Sequence, residues 1–430
     1  MIDRVKNLAR PSYFLAKSKQ ADYEHDAPTG TVVLNPDAPR HILLIVVDAL
    51  RPDSTPRFSG LDYSHAIAPS PWTFPSVTSV HTGRYPHDHG SVAHTSPDDE
   101  EYAMPARSTG LDTLPERLER AGYETFAGCA FPVPFLALRG WYRNHRVYPD
   151  APARNVVDRY HRWRSGRERT FAYLHLADLH APIEPPARYA ERRGVDSSIP
   201  GLANIGTYCT DFDPDDPTCR RFREQRLQLY RAANDYICDE LARLWNAVGS
   251  DTLGVLVGDH GEAQWEHAEV DRRFTDSRPN YGVGHGGTPL DAVARVPIGV
   301  SDPDLLPTGG TASLVDLPRT IAARVTDEGD FGGYDWNEDI PNDRIALCEG
   351  SRYGAERKAA YQGTEKVIRS KHDDAIVTAT IDRDGEEFGR IPRDVETHLL
   401  DALPDAWEDW GTHGDTGRVV RDQLEALGYR

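Results

Sequence analysis

Six consecutive aliphatic residues, Ile42-Leu43-Leu44-Ile45-Val46-Val47, end abruptly at Asp48. A run so apolar, so rich in β-branched residues and so short reads as a strand buried on both faces, the situation of a parallel sheet. Strand signals of the same kind recur at 124–128, 170–176, 253–258 and 296–300, with helical patterns at 111–122 and 222–248. Strands alternating with helices predict βαβ units, hence an α/β fold with a large, mostly parallel sheet sandwiched by helices. From about residue 331 the texture changes to short extended segments (344–349, 359–362, 366–370, 375–381) split by turn residues. These predict a small C-terminal antiparallel sheet, closed by a helix at 417–427. The expected organisation is a leader over 1–38, irregular after a short amphipathic start, a large unit over 39–330, and a C-terminal subdomain over 331–430.

The chain of 430 residues, 39% hydrophobic and 9% aromatic, is long enough for a substantial core and too apolar for a disordered protein. Its net charge is −19, and only six of its 49 basic residues are lysine. An acidic, lysine-poor surface is tolerable where salt screens self-repulsion within a few ångströms, so a halophilic setting is expected. The same charge speaks against nucleic acid and anionic membranes as partners. No segment nears the roughly 18–20 apolar residues that span a bilayer, and the first residues lack a signal-type apolar core. A cytoplasmic protein is the expectation. Five cysteines show no metal-finger spacing. Cys209 and Cys219, which bracket an acidic loop, either close a disulfide or stay reduced.

Ligands of open α/β sheets sit beyond the carboxyl ends of the strands. Asp48 and Asp259 directly follow predicted strands and Asp178 comes just after another, so the three are expected to meet at one edge. Hard carboxylate oxygens with one histidine, His260, suit a divalent cation acting as a Lewis acid. Thr73, in Ser70-Pro71-Trp72-Thr73-Phe74-Pro75-Ser76, precedes a predicted helix at 76–81. A threonine hydroxyl is a poor nucleophile near neutral pH, and metal coordination is one way to activate it. A helix N-terminus beside it would offer N–H groups to a tetrahedral anion. The combination points to esters of phosphate or sulfate.

The order of several segments adds a resemblance. Val47-Asp48-Ala49-Leu50-Arg51, then Pro75-Ser76 with Thr82-Gly83-Arg84-Tyr85-Pro86-His87, then Leu174 to Pro182, then Gly258-Asp259-His260-Gly261-Glu262, and His285 ahead of Arg295-Val296-Pro297 stand in sequence. The chain thereby resembles the sulfatase branch of the alkaline phosphatase superfamily, nearly end to end. The resemblance implies an alkaline phosphatase-like fold and a catalytic unit over 39–330. It implies that Asp48, Thr73, Asp259 and His260 hold the metal, that Thr73 is the nucleophile, and that His180 and His285 touch the transferred group and the leaving group. Arg84 is expected to be structural. His87 and His89 are expected to order a loop, His175 to pack at a strand end, and Glu262 to cap or orient. Asp178 is read either as a second-metal ligand or as the group orienting His180. One divalent ion (Ca, Mg, Mn or Zn) is expected, with two as the alternative.

The departures from the family pattern bear on substrate. Sulfatases carry Cys or Ser at the Thr73 position, converted to formylglycine, and follow it with Pro-Ser-Arg; here the arginine position is Val77. A threonine cannot become the aldehyde. The second acid of the family's Asp-Asp opening is Ala49, and the Gly-Lys-Trp-His segment has no equivalent. A hydrated aldehyde releases a sulfated intermediate by elimination, a route closed to an ordinary alcohol, whereas a phospho-threonine can be attacked at phosphorus. The expected activity is therefore metal-dependent hydrolysis of phosphate-type esters (monoester, diester or phosphonate) of a small molecule or glycan through a covalent Thr73 intermediate. The alternatives are a true sulfuric ester hydrolase, a phospho-head-group transferase and a non-catalytic metal-binding module.

Overall fold

The computed structural model describes residues 2–92, 104–105, 107–204, 213, 215–274, 281–327, 331–350, 352–353, 356–382 and 385–405, with side chains from residue 10 onward. Cys209, the acidic stretch 98–101 and the helix expected at 417–427 lie outside the described residues.

The predicted strands assemble into one seven-stranded sheet. In chain order its strands are β1 (His41–Val47), β2 (Asp62–Ile67), β3 (Glu124–Cys129), β4 (Asn144–Val147), β5 (Thr170–Leu176), β6 (Thr252–Gly258) and β7 (Arg295–Val300). Their spatial order is β2-β7-β6-β1-β5-β3-β4. The pairs β1–β5, β1–β6, β3–β5 and β3–β4 are parallel, whereas β7 runs antiparallel to both β6 and β2. β1 is central and buried at all seven positions, as its unbroken aliphatic run requires.

Alternation sorts the strand residues onto two faces. Ile42, Leu44 and Val46 of β1, Phe171 and Tyr173 of β5, and Leu253, Val255 and Val257 of β6 share one core with Phe74, Val77 and Val80. The last three belong to helix α1 (Thr73–Thr82). Leu43, Ile45, Val47, Leu174, Leu176 and Leu256 face the other way, against Tyr230, Ala233, Ile237, Leu241 and Leu244 of helix α2 (Pro217–Val248). The sheet is thus covered on both faces. A separate antiparallel meander of five strands follows, β8 (Ala346–Gly350), β9 (Arg357–Gln362), β10 (Glu365–Ser370), β11 (Ala375–Ile381) and β12 (Glu386–Phe388). It joins the first unit through Glu349, whose N–H donates to the Pro69 carbonyl at 2.8 Å.

The leader differs from the sequence expectation. A helix runs over Ile2–Glu24 with Pro11 inside it. An internal proline costs roughly 3 kcal/mol of helix stability, so the sequence reads as broken there. Tertiary contacts outweigh that cost: Phe14 and Ala21 are buried, and the Ser18 hydroxyl accepts the Val147 N–H at 3.0 Å. Asp22 accepts the His145 N–H at 2.6 Å and pairs with the Arg146 guanidinium at 2.8 Å. Burial alone would raise the Asp22 carboxyl, but the hydrogen bonds from His145 and Arg146 win and hold it well below the usual carboxylate range. A depressed native pKa contributes stability that is complete above the unfolded value of about 3.9 and drains away as pH falls through the folded value. Asp22→Asn is therefore expected to cost about 1 kcal/mol at pH 7, since the pair is partly solvent-screened, and to flatten the loss of stability below about pH 4. Denaturant titrations at pH 7 and pH 3 check this; parallel pH slopes for the two proteins would refute it.

Candidate functional site

Strand parity and register build the site. Val46 pairs with His175 and with Val257 across the centre of the sheet. Two residues beyond Val46 and Val257, on the same face, come Asp48 and Asp259. Asp48, His175 and Asp259 therefore all project toward α1, whose first residue is Thr73. The Asp48 N–H still donates to the Leu176 carbonyl at 2.9 Å, so Asp48 leaves the sheet in register with β5. The Ser76 hydroxyl donates to the Asp259 carbonyl at 2.6 Å and ties the start of α1 to the end of β6.

Thr73, Asp48, Asp259 and His260 are fully buried and adjacent. Thr73 Oγ1 lies 3.3 Å from Asp48 Oδ2 and 3.2 Å from His260 Nε2. His260 Nδ1 donates to the Gly261 carbonyl at 2.8 Å, which turns Nε2 toward the carboxylates, 3.3 Å from Asp48 Oδ1 and 3.7 Å from Asp259 Oδ2. Among the described residues, none donates a hydrogen bond to Asp48 Oδ1 or Asp259 Oδ2. Among the described residues, Asp48, Asp259 and His260 form the one acid-histidine group with ligand atoms mutually within 4.8 Å. Buried carboxylate oxygens without donors are costly in isolation. Burial and then the Asp48 charge raise the Asp259 carboxyl, and the Asp259 and Asp48 charges lift His260 despite its own burial. Two hard oxygens and an imidazole nitrogen converging in this way fit a divalent cation.

Three histidine rings line one side. His260 and His285 lie 4.3 Å apart between ring centres, His285 and His180 4.9 Å, and His180 stacks on Phe131 at 5.5 Å. A short ladder positions His285: Ala263 pairs with Gly284, which sets Glu262 beside His285, and Glu262 Oε2 accepts from Nδ1 at 2.7 Å. Glu262 therefore orients, as read from sequence. His180 Nδ1 donates to the Ala181 carbonyl at 2.7 Å. Burial lowers His180 to about 4 and takes His285 well below its ordinary value. Both rings are neutral near pH 7, with Nε2 as the nitrogen not engaged by these backbone and carboxylate partners. Gly261 is required where the loop turns, because a Cβ there would meet the Ala292 carbonyl oxygen at 2.1 Å.

Two sequence readings are corrected. Asp178 does not join the other strand-end acids. Its carboxylate accepts the Ala153 N–H at 3.0 Å, the first residue of the helix Ala153–Arg164, so it neither serves the metal group nor orients His180. The strand end at Leu176 and the acid two residues later are separated by a turn that redirects the side chain. His175, expected to pack at a strand end, instead faces Asp48 Oδ2 at 3.0 Å and Asp259 Oδ2 at 4.0 Å. Its parity with Phe171 and Tyr173 was the available signal. His87 bonds Glu349 at 2.6 Å and His89 bonds Ser79 Oγ at 3.0 Å, both as loop-ordering contacts. Arg84 is exposed. A cavity of about 1150 Å³ between β2 and the C-terminal meander is lined by none of these site residues.

A model of the family described as Sulfatase matches residues 41–323. The chain belongs to the sulfatase family. Membership makes it a hydrolase acting on ester bonds, within the alkaline phosphatase superfamily. No curated protein matches in sequence. Solved structures share the fold at low identity. The phosphonate monoester hydrolase of Agrobacterium radiobacter is 14% identical at TM-score 0.58, over 84% of this chain and 94% of that one. BT4656, in complex with its substrate D-glucosamine-2-N,6-O-disulfate, is 13% identical at TM-score 0.59, covering 91% and 98%. BT1596, a 2-O GAG sulfatase, is 16% identical at TM-score 0.55, covering 85% and 90%. Among the described residues of this sulfatase-family chain, no helix is long and apolar enough to cross a membrane.

Proposed function

We propose that this sulfatase-family protein hydrolyses phosphate-type esters by double displacement through Thr73, in a site that holds one divalent cation between Asp48, Asp259, His260 and Thr73. The observation that carries the reading is a plain threonine hydroxyl, at the head of α1, within 3.3 Å of Asp48 and His260. A cation bound there would supply Lewis-acid chemistry, lowering the pKa of the hydroxyl and offsetting charge on the transferred group.

The residues do the rest. Thr73 Oγ1 attacks phosphorus, its proton having Asp48 Oδ2 as the carboxylate acceptor at 3.3 Å. The P–O bond to the leaving group breaks as the P–Oγ1 bond forms. The departing oxygen leaves facing His285 and His180 and takes its proton from solvent, because with Nδ1 donating to Glu262 and to the Ala181 carbonyl both Nε2 atoms are proton acceptors. The N-terminus of α1 sets its positive dipole end against the anionic group. Water then attacks phosphorus, giving its proton to the neutral Nε2 of His285 or His180, which passes it to solvent, and Thr73 leaves as the alcohol, taking back the proton held at Asp48 Oδ2.

Sulfate esters are the second reading, favoured by family membership and by the sulfated substrate named for BT4656. The phosphonate monoester hydrolase among the neighbours supports the first. The acidic, arginine-rich composition places the assay in molar salt, the condition expected of a halophilic protein. A side-by-side measurement with p-nitrophenyl phosphate, a bis-p-nitrophenyl phosphodiester, a phenylphosphonate ester and p-nitrophenyl sulfate decides the matter. Phosphorus esters are expected to turn over faster; a clear preference for the sulfate would reverse the assignment.

A further inference from the structure

His175 is wholly buried and held at both ring nitrogens. Nδ1 meets the Tyr173 hydroxyl at 2.6 Å, and Nε2 meets Asp48 Oδ2 at 3.0 Å. A carboxylate only accepts, so Nε2 carries the proton, and the Tyr173 hydroxyl donates to Nδ1. The relay Tyr173–His175–Asp48 thus runs in one direction. Tyr173 and His175 are consecutive inward residues of β5, an interior strand of the sheet. His175 is not among the residues whose ligand atoms crowd together within 4.8 Å; it stands behind Asp48.

The need for such a device lies in the next residue. Ala49 is buried, in the left-handed region at φ 59°, and its carbonyl accepts the Tyr230 hydroxyl at 2.7 Å. The backbone turns away immediately after Asp48, and the end of β1 offers a single carboxylate. Asp48 has two oxygens and only the χ1 and χ2 torsions to aim them. With Oδ2 engaged by His175 and Thr73, Oδ1 is the oxygen directed at His260 Nε2 and left without a donor.

We propose that His175, fixed by Tyr173, is the positioning residue for Asp48: it occupies Oδ2 and so presents Oδ1 to the cation. The proposal rests on the metal-centre reading above. Outer hydrogen-bond partners of metal ligands are typically worth about 10–100-fold in metal affinity.

The test measures Mn²⁺ and Ca²⁺ affinity of the full chain in molar salt, by calorimetry and by competition with a chromophoric chelator. His175→Ala is expected to weaken both ions by about 10–100-fold. His175→Gln, whose amide N–H reaches the place of Nε2, is expected to restore most of the loss, and Tyr173→Phe to fall between. Nitrogen couplings in the electron spin echo of bound Mn²⁺ should report one imidazole in the wild type and in His175→Gln alike. Unchanged affinity in folded His175→Ala would overturn the proposal. So would a nitrogen coupling lost with His175, which would make it a ligand. If His175→Ala does not fold, Tyr173→Phe and His175→Gln decide, and equal affinities of Tyr173→Phe and wild type would count against the relay. Failure of the wild type itself to take up either ion would instead remove the metal-centre reading and this inference together.

Discussion

Thr73→Ala is expected to abolish turnover of every ester the wild type accepts, by about 10³-fold or more, with the fold little changed and metal uptake weakened by the lost hydroxyl but retained through Asp48, Asp259 and His260. The side chain is fully buried at the first turn of α1, and its Oγ1 is the hydroxyl between Asp48 and His260. Its removal takes away the atom that forms the covalent bond, while Asp48, Asp259 and His260 keep their places. Thr73→Ser should retain measurable activity, because the hydroxyl persists and only a methyl group is lost. Rapid-quench experiments on the wild type should trap label on Thr73, and none on the alanine variant. Turnover by Thr73→Ala within tenfold of the wild type would end the double-displacement mechanism, leaving direct attack by water on the substrate.

Removal of divalent ions is the second large effect. Asp48 and Asp259 are wholly buried, and among the described residues none donates a hydrogen bond to Asp48 Oδ1 or Asp259 Oδ2. A cation bound only by the native state stabilises it by about 2.7 kcal/mol at a hundredfold excess over its dissociation constant. Dialysis against a chelator is therefore expected to eliminate activity and to lower the melting temperature together, and addition of the right ion to restore both. The parallel recovery matters, since a chelator that merely captured substrate-bound ions would leave the melting temperature untouched. Asp259→Asn should behave as a permanently depleted protein: inactive, weak in metal uptake, and insensitive to chelator in its thermal stability. A melting temperature indifferent to both chelator and added ion would contradict the cation site.

Much of this was legible in the residues. The aliphatic run 42–47 could be nothing but a central strand, and the observed β5 matches the predicted 170–176 to the residue. The strand-end acids Asp48 and Asp259, with His260 beside the latter, were readable because a parallel sheet collects its carboxyl ends on one edge. The structure brings His180 beside His285 and His285 beside His260. The leader helix was hidden by Pro11, since local propensity penalises what contacts from Ser18 and Asp22 to β4 stabilise. Asp178 looked equivalent to Asp48 in sequence, yet the turn that begins after Ala177 sends its carboxylate to the helix at Ala153. Val77, where the family keeps an arginine, is buried with Val80 against the sheet.

The sequence by itself determined the fold class, the edge of the sheet where Asp48 and Asp259 end their strands, and the threonine proposed as the nucleophile. Those follow from hydrophobic period and from the residue types at strand ends, which are local properties. Only the tertiary structure decided that His175 belongs to the site and Asp178 does not. That choice depends on register between β1, β5 and β6, with Val46 opposite both His175 and Val257. A shift of one residue would send every side chain of a strand to the opposite face. Register is set by packing of the two faces against α1 and α2, a sum over distant contacts that no single segment contains.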